Sequence, residues 1–185
     1  MSRLGGWEPE STHDRLDRLE SLAEIRQLPL RYALALDSRD MDSLVELFQP
    51  DVRVGRDATG RDALKQWFIA SMSKVTTTVH LVANHIVDFD DRNRARGVVY
   101  CRDEVEYPER REWRIGALQY WDRYRRVDGT WFFERRGFHR WYQVDALQRP
   151  TTGAGVNQGD DPITTGALPQ AFETWQPFWD TVARP

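Results

Sequence analysis

From His13 onward, apolar residues return at three-residue steps: Leu16, Leu19, Leu22, Ile25 and Leu28. That spacing lays them along one side of an α-helix. Pro29 interrupts the run. A proline inside a helix removes a backbone hydrogen bond and crowds the preceding turn, so a kink or two abutting helices are predicted there. The second piece ends in Tyr-Ala-Leu-Ala-Leu-Asp, residues 32–37. A short helix over 42–48 follows, with Asp40 as a possible N-cap and Pro50 helping to stop it. Residues 51–54, Asp-Val-Arg-Val, read as a short strand, and 60–73 as a third amphipathic helix.

The rhythm changes at Thr76. Segments 79–89, 95–107, 113–127 and 130–144 are long and rich in β-branched and aromatic residues, the composition of strands. Turn-forming breaks at 90–93, 108–110 and 128–129 separate them. The last of these is Asp128-Gly129, a strong hairpin signal between two such runs. Helices first and an antiparallel meander afterwards give the α+β class. The expected organisation is a flexible N-terminal arm over 1–12 and one domain over 13–145. A C-terminal loop with a short aromatic helix, bent at Pro177, is expected over 146–185.

Composition narrows the function classes. A chain of 185 residues supports one domain with a sizeable core. Eight Trp, eight Phe and six Tyr suit a cavity lined by flat apolar surfaces and suit a packed core equally. A net charge of −3 gives no general attraction to nucleic acid. The basic and aromatic stretch 123–142 could hold phosphates and stack bases. It spans a hairpin, however, so its arginines are expected mostly on an outer face, with Trp and Phe inward. One cysteine, Cys101, excludes an internal disulfide and fits a reducing compartment. The first twenty residues carry no apolar stretch of signal-peptide or membrane-spanning length. A cytoplasmic protein with no membrane or nucleic-acid partner is expected.

His80 and His85 raise the question of a metal. Five apart in a regular strand, they point to opposite faces and cannot chelate one ion together. The spacings of zinc, calcium and phosphate-binding motifs are absent, and the glycines at 153–159 match neither common nucleotide-binding pattern. No metal and no cofactor are expected. His85 and His139 are read as structural or solvent-linked. Asp37 and His80 remain. A carboxylate at a helix C-terminus is opposed by the helix dipole and invites a partner. If the strand carrying His80 crosses that helix, the two can meet, and an Asp-oriented imidazole is a competent general base near neutral pH. Two unrelated polar side chains is the other reading of the same residues.

The segments 25–52, 77–90 and 120–142 resemble the NTF2-like, SnoaL-like superfamily, over about residues 15–145. Generic carriers are the helix ending in Asp37-x-x-Asp40 before Pro50-Asp51, and the hairpin with Asp128-Gly129-x-Trp131. The resemblance implies a cone: a curved antiparallel or mixed sheet wrapped around a pocket that N-terminal helices close. The polar residues are placed most like those of the bile acid 7α-dehydratase branch. That branch uses a Tyr on the first helix, an Asp five residues later, a His in the first long strand and an Arg late in the last. These fall on Tyr32, Asp37, His80 and Arg140. Scytalone dehydratase and hexachlorocyclohexane dehydrochlorinase also use an Asp–His pair, which again falls on Asp37 and His80. There are departures. An Asn of the bile acid enzyme falls near Ile115, and a second His and an Asn of scytalone dehydratase fall near Val99 and Tyr120. The substrate is therefore expected to differ from either.

The resemblance implies a cofactor-independent lyase, a dehydratase-like enzyme for an apolar cyclic and steroid-like substrate. His80 would be the base, Asp37 its orienting partner and Tyr32 a hydrogen-bond donor. Arg140 would take an anionic group or a developing enolate, with Tyr120 either supplying a hydroxyl or packing as a core aromatic. A ketosteroid isomerase-like or polyketide cyclase-like enzyme uses the same base without losing a group. A non-catalytic ligand-binding protein, or a scaffold like a dioxygenase β-subunit, keeps the fold alone. A homo-oligomer, dimer or trimer, is expected.

Overall fold

The computed structural model describes residues 6–146. The loop and aromatic helix expected after Ala146 lie outside the described residues. In chain order the elements are α1 (Thr12–Asp37), α2 (Met41–Glu46), the two-residue strands β1 (Arg53–Val54) and β2 (Ala58–Thr59), and α3 (Arg61–Met72). Four long strands follow: β3 (Thr78–Asp91), β4 (Arg94–Tyr107), β5 (Glu112–Val127) and β6 (Thr130–Asp145), with a 3₁₀ turn at Pro108–Arg110. The class is α+β.

Ser11 opens α1 with a capping box. Its hydroxyl accepts from the Asp14 backbone N–H, and the Asp14 carboxylate accepts from the Ser11 backbone. Just before it, the Gly6 N–H donates to the Phe89 carbonyl at 2.7 Å and Trp7 meets Phe89 edge-on. That part of the expected arm therefore lies against the end of β3. Pro29 does not divide the helix: α1 is continuous from Thr12 to Asp37. Ile25, Leu28, Pro29, Tyr32 and Leu36 form one buried stripe on the sheet. Its packing outweighs the one backbone bond that proline forfeits.

The long strands form one sheet, ordered β3-β4-β5-β6 and antiparallel throughout. Asp128 and Gly129 both take positive φ, 49° and 84°, as the predicted tight turn needs. Side chains facing α1 follow from the register. His80, Asp103, Gly116 and Gln143 form one line across all four strands. Cys101, Leu118 and Arg140 lie in the next line, then His85, Val99 and Tyr120, then Asp122 and Arg136. Phe89, Tyr124 and Phe133 close the far end, where the core is driest.

Two bulges overturn expectations drawn from strict alternation. An extra residue between Val82 and His85 brings His80 and His85 to the same concave face. An extra residue at Glu134, between the pairs Phe133–Tyr124 and Arg135–Arg123, turns Arg136 and Arg140 inward rather than onto the outer face. A single inserted residue does this because the side-chain period of a strand is two.

Candidate active site

Asp37 is the last residue of α1, and the chain leaves it through a Schellman turn. The Arg39 N–H reaches the Leu36 carbonyl (3.2 Å) and the Asp40 N–H reaches that of Ala35 (2.9 Å). The left-handed position of that turn favours glycine, yet here it is Arg39, with φ 62°. Its guanidinium donates to the Leu36 carbonyl and to Thr78 Oγ1, each at 2.8 Å. Thr78 Oγ1 in turn donates to Asp37 Oδ1 at 2.8 Å. The carboxylate then grips His80 twice. Oδ1 meets the imidazole Nδ1 at 2.7 Å, and Oδ2 accepts the His80 backbone N–H at 2.8 Å. The second contact exists because β3 is the edge of the described sheet, so this N–H faces away from β4.

Burial alone would raise the Asp37 carboxyl. The hydrogen bonds from the His80 ring and backbone, its charge and the Thr78 hydroxyl outweigh burial and hold the carboxyl below its usual range. A carboxylate at Nδ1 accepts the N–H of the neutral imidazole, which leaves Nε2 as the basic nitrogen. The His80 side chain is 8% exposed, sheltered but reachable. Two surface clefts elsewhere, one lined by Gln27, Arg31 and Phe132 and the other by Leu34, Ser38 and Asp42, include neither Asp37 nor His80.

Tyr32 lies deeper. Its ring meets Tyr120 (5.8 Å between centroids), Phe68, Phe133 and Phe48. Tyr120 is four residues along β5 from Gly116, which shares the line of His80, so it lies roughly 13 Å farther into the cone. Burial pushes the Tyr32 phenol up to about 12, partly offset by the Arg136 charge, and burial likewise raises the Tyr120 phenol well above its ordinary value. Both stay protonated and can only donate or accept as neutral hydroxyls. Burial likewise pushes the Cys101 thiol up to about 12.

Sequence reasoning missed a second buried assembly. Arg136 stacks on the rings of Tyr120, Tyr32 and Phe133, with Cζ 3.9, 4.3 and 4.5 Å from their centroids. It pairs with Asp122 through two 3.1 Å bonds. Asp122 also accepts from the Tyr124 hydroxyl, which meets His85 Nε2 at 3.0 Å. This is the structural role expected of His85. His139 stacks on Trp121 at 4.0 Å, on the opposite face. No sequence signal marked Arg136, because only the bulge at Glu134 directs it inward.

Arg140 is buried on the concave face and paired with Asp103 at 3.5 Å, both side chains 4% exposed. Thus the structure joins Asp37 to His80, Tyr32 to Tyr120 and Arg140 to Asp103, along one wall of the cone. Among the described residues no group of three His, Cys, Asp or Glu side chains is placed to hold a metal, and no helix is long and apolar enough to cross a membrane.

A four-stranded antiparallel sheet wrapped by N-terminal helices, polar groups lining its concave face, is the architecture of NTF2-like α+β proteins. The SnoaL-like domain model matches residues 17–137, and the chain belongs to that family. An uncharacterised protein of Mycobacterium tuberculosis is 28% identical over 125 residues, covering 65% of this chain and 82% of the relative. A solved structure provisionally named a scytalone dehydratase, from Novosphingobium aromaticivorans, superposes with a TM-score of 0.62 at 26% identity, over 75% of this chain and 96% of that one. A hexachlorocyclohexane dehydrochlorinase of Novosphingobium barchaimii superposes with a TM-score of 0.65 at 22% identity, over 75% and 99%. At that identity the likeness speaks for the fold alone.

Proposed function

We propose that this protein is a cofactor-independent lyase of the dehydratase kind, acting on a largely apolar cyclic substrate of steroid-like or other fused-ring form. The observation that carries the reading is the double grip of Asp37 on His80. One carboxylate oxygen fixes the imidazole tautomer and the other fixes the strand that carries it. His80 Nε2 takes a proton from carbon next to a ketone. The electrons of that C–H bond form the new C=C bond as the C–O bond breaks. The departing hydroxide takes the proton from the imidazolium and leaves as water. Asp37 stabilises the imidazolium in between. Tyr32 and Tyr120, held neutral deeper in the cone, hydrogen-bond an oxygen at the far end of the substrate and hold its rings in place for His80. A structural neighbour at 26% identity that is provisionally named a scytalone dehydratase supports an elimination. The high pKa of Cys101 speaks against a thiolate nucleophile at neutral pH.

The test is turnover of cyclic β-hydroxy ketones by the wild type, Asp37→Asn, His80→Ala and the double variant. Each single change should lower kcat by about a hundredfold or more. The double variant should be little worse than the worse single one, since the two act as a unit. Near-normal turnover in either single variant removes the dyad. A product of unchanged mass, rather than one lighter by water, makes the enzyme an isomerase.

A further inference from the structure

Three buried polar side chains converge beside the dyad with most of their hydrogen-bonding capacity unused. Asp103 is the cross-strand neighbour of His80, Gly116 is the neighbour of Asp103, and Gln143 is the neighbour of Gly116. Gly116 leaves the space they use: a Cβ there would overlap Asp103 Oδ1 and press on Arg140 Nη1. Asp103 Oδ1, Arg140 Nε and Nη1, and both amide atoms of Gln143 are buried without a protein partner. Gln143, Asp103 and Arg140 are 3%, 3% and 4% exposed. A buried polar group without a partner forfeits the hydrogen bonds it made to water, so each unmet group of this kind weakens the fold. So many around one glycine point to something outside the chain that meets them.

We infer that Asp103, Arg140 and Gln143 form a subsite for a neutral oxygenated group of the substrate, a hydroxyl or carbonyl on its ring system, and reject a carboxylate or phosphate there. Arg140 alone would favour an anion. Paired with Asp103 at 3.5 Å, it is already neutralised, and an incoming carboxylate would face the unpartnered Asp103 Oδ1. A hydroxyl can donate to that oxygen and accept from Arg140 or Gln143. Two strand spacings separate His80 from Gly116, roughly 10 Å, a span that fused rings bridge. This rests on the concave face being the substrate site, as proposed above, and names the class of substrate that it takes.

The probes are 2-naphthol and 2-naphthoate, which share a fused ring and differ in charge at neutral pH. Calorimetry should show the wild type binding 2-naphthol at least tenfold more tightly. Asp103→Asn, which leaves the Arg140 charge unmatched, should reverse that preference. Gln143→Leu should weaken 2-naphthol about tenfold while raising the thermal midpoint by several degrees, because it removes unmet polar atoms from a buried place. A wild type that prefers 2-naphthoate, or that binds neither probe, overturns the inference. So does unchanged selectivity in Asp103→Asn, or a lowered midpoint in Gln143→Leu, which would mean that buried water holds the cluster as structure. Because no turnover is read, these failures are separate from failure of the dyad, which the kinetics of Asp37 and His80 variants decide.

Discussion

Arg39 shows how one side chain can hold a site together while straining the backbone. A non-glycine residue in the left-handed region costs on the order of 1 kcal/mol. Arg39 occupies it with its guanidinium locked to Leu36, Thr78 and the chain at Val75 and Thr76. Arg39→Gly relieves the strain and deletes the clamp. Its thermal midpoint should stay near that of the wild type, whereas kcat on a dehydratable substrate should fall roughly tenfold as Thr78 and Asp37 lose their register. A midpoint lowered in step with kcat would make Arg39 a residue of stability only. His85 carries a second expectation. Burial, then the charges of Arg136 and Arg26, push it down to about 4 from its ordinary 6.5. The unfolded chain therefore takes up a proton as pH falls through 6.5, while the folded chain resists until about 4. Stability from this residue is complete above 6.5 and declines across that window, by at most about 1.4 kcal/mol per pH unit. Urea midpoints of wild type and His85→Gln should differ less at pH 5 than at pH 7.5. A constant difference would show that His85 takes up its proton in the folded protein at the same pH as in the unfolded chain.

At the level of elements, β6 decides what the cone contains. Trp131 and Phe133 face inward by alternation, and Glu134 interrupts the count so that Arg136 and Arg140 also face inward. Deleting Glu134 removes only the extra residue, so Arg135 follows Phe133 in register and Arg136 and Arg140 still face inward. Arg136→Met instead leaves Asp122 buried without its partner, and losing one member of a buried ion pair costs about 3–5 kcal/mol. Arg136→Met should lower the urea midpoint sharply, whereas the Glu134 deletion should unfold near the wild-type midpoint. A wild-type midpoint in Arg136→Met would show that its pair with Asp122 contributes nothing to the fold. Edge strand β3 illustrates a different economy. The Asp37 carboxylate satisfies a backbone donor of β3 and orients the ring of the same residue, so the cover on the sheet edge and the candidate base are one interaction.

Across the whole molecule, the core of the described residues runs from Ile25 to Phe133 as one cluster. A chain ending at Ala146 should therefore unfold cooperatively. The convex face of the sheet exposes Val79, Leu81, Ile86 and Tyr100, with Leu81 at 54%, a strip of apolar surface that a second copy can cover. Light scattering of the full chain is expected to give a multiple of 21.7 kDa. Leu81→Asp should shift it toward the single chain, and a wild type that already runs at that mass ends the expectation.

The order of elements was legible in the sequence because hydrophobic spacing is a local property. Leucines at helical steps, long β-branched runs and one Asp-Gly turn place nearly every helix and strand of the body. The pairing of Asp37 with His80 was legible as a possibility, through a carboxylate at an unfavourable helix end and a resemblance to eliminating enzymes. Tertiary structure decided the rest. Pro29 stays inside one helix because the stripe from Ile25 to Leu36 packs on a sheet that the helix pattern cannot see. His85, Arg136 and Arg140 face inward because of bulges, and a bulge depends on how two strands pair rather than on the composition of either one. Whether Arg140 offers a free charge depends on Asp103, thirty-seven residues away in the chain and a hydrogen bond away in the fold. Local sequence fixes periodicity and turns. Partners across the sheet fix which side chains share a face, and so which charges meet.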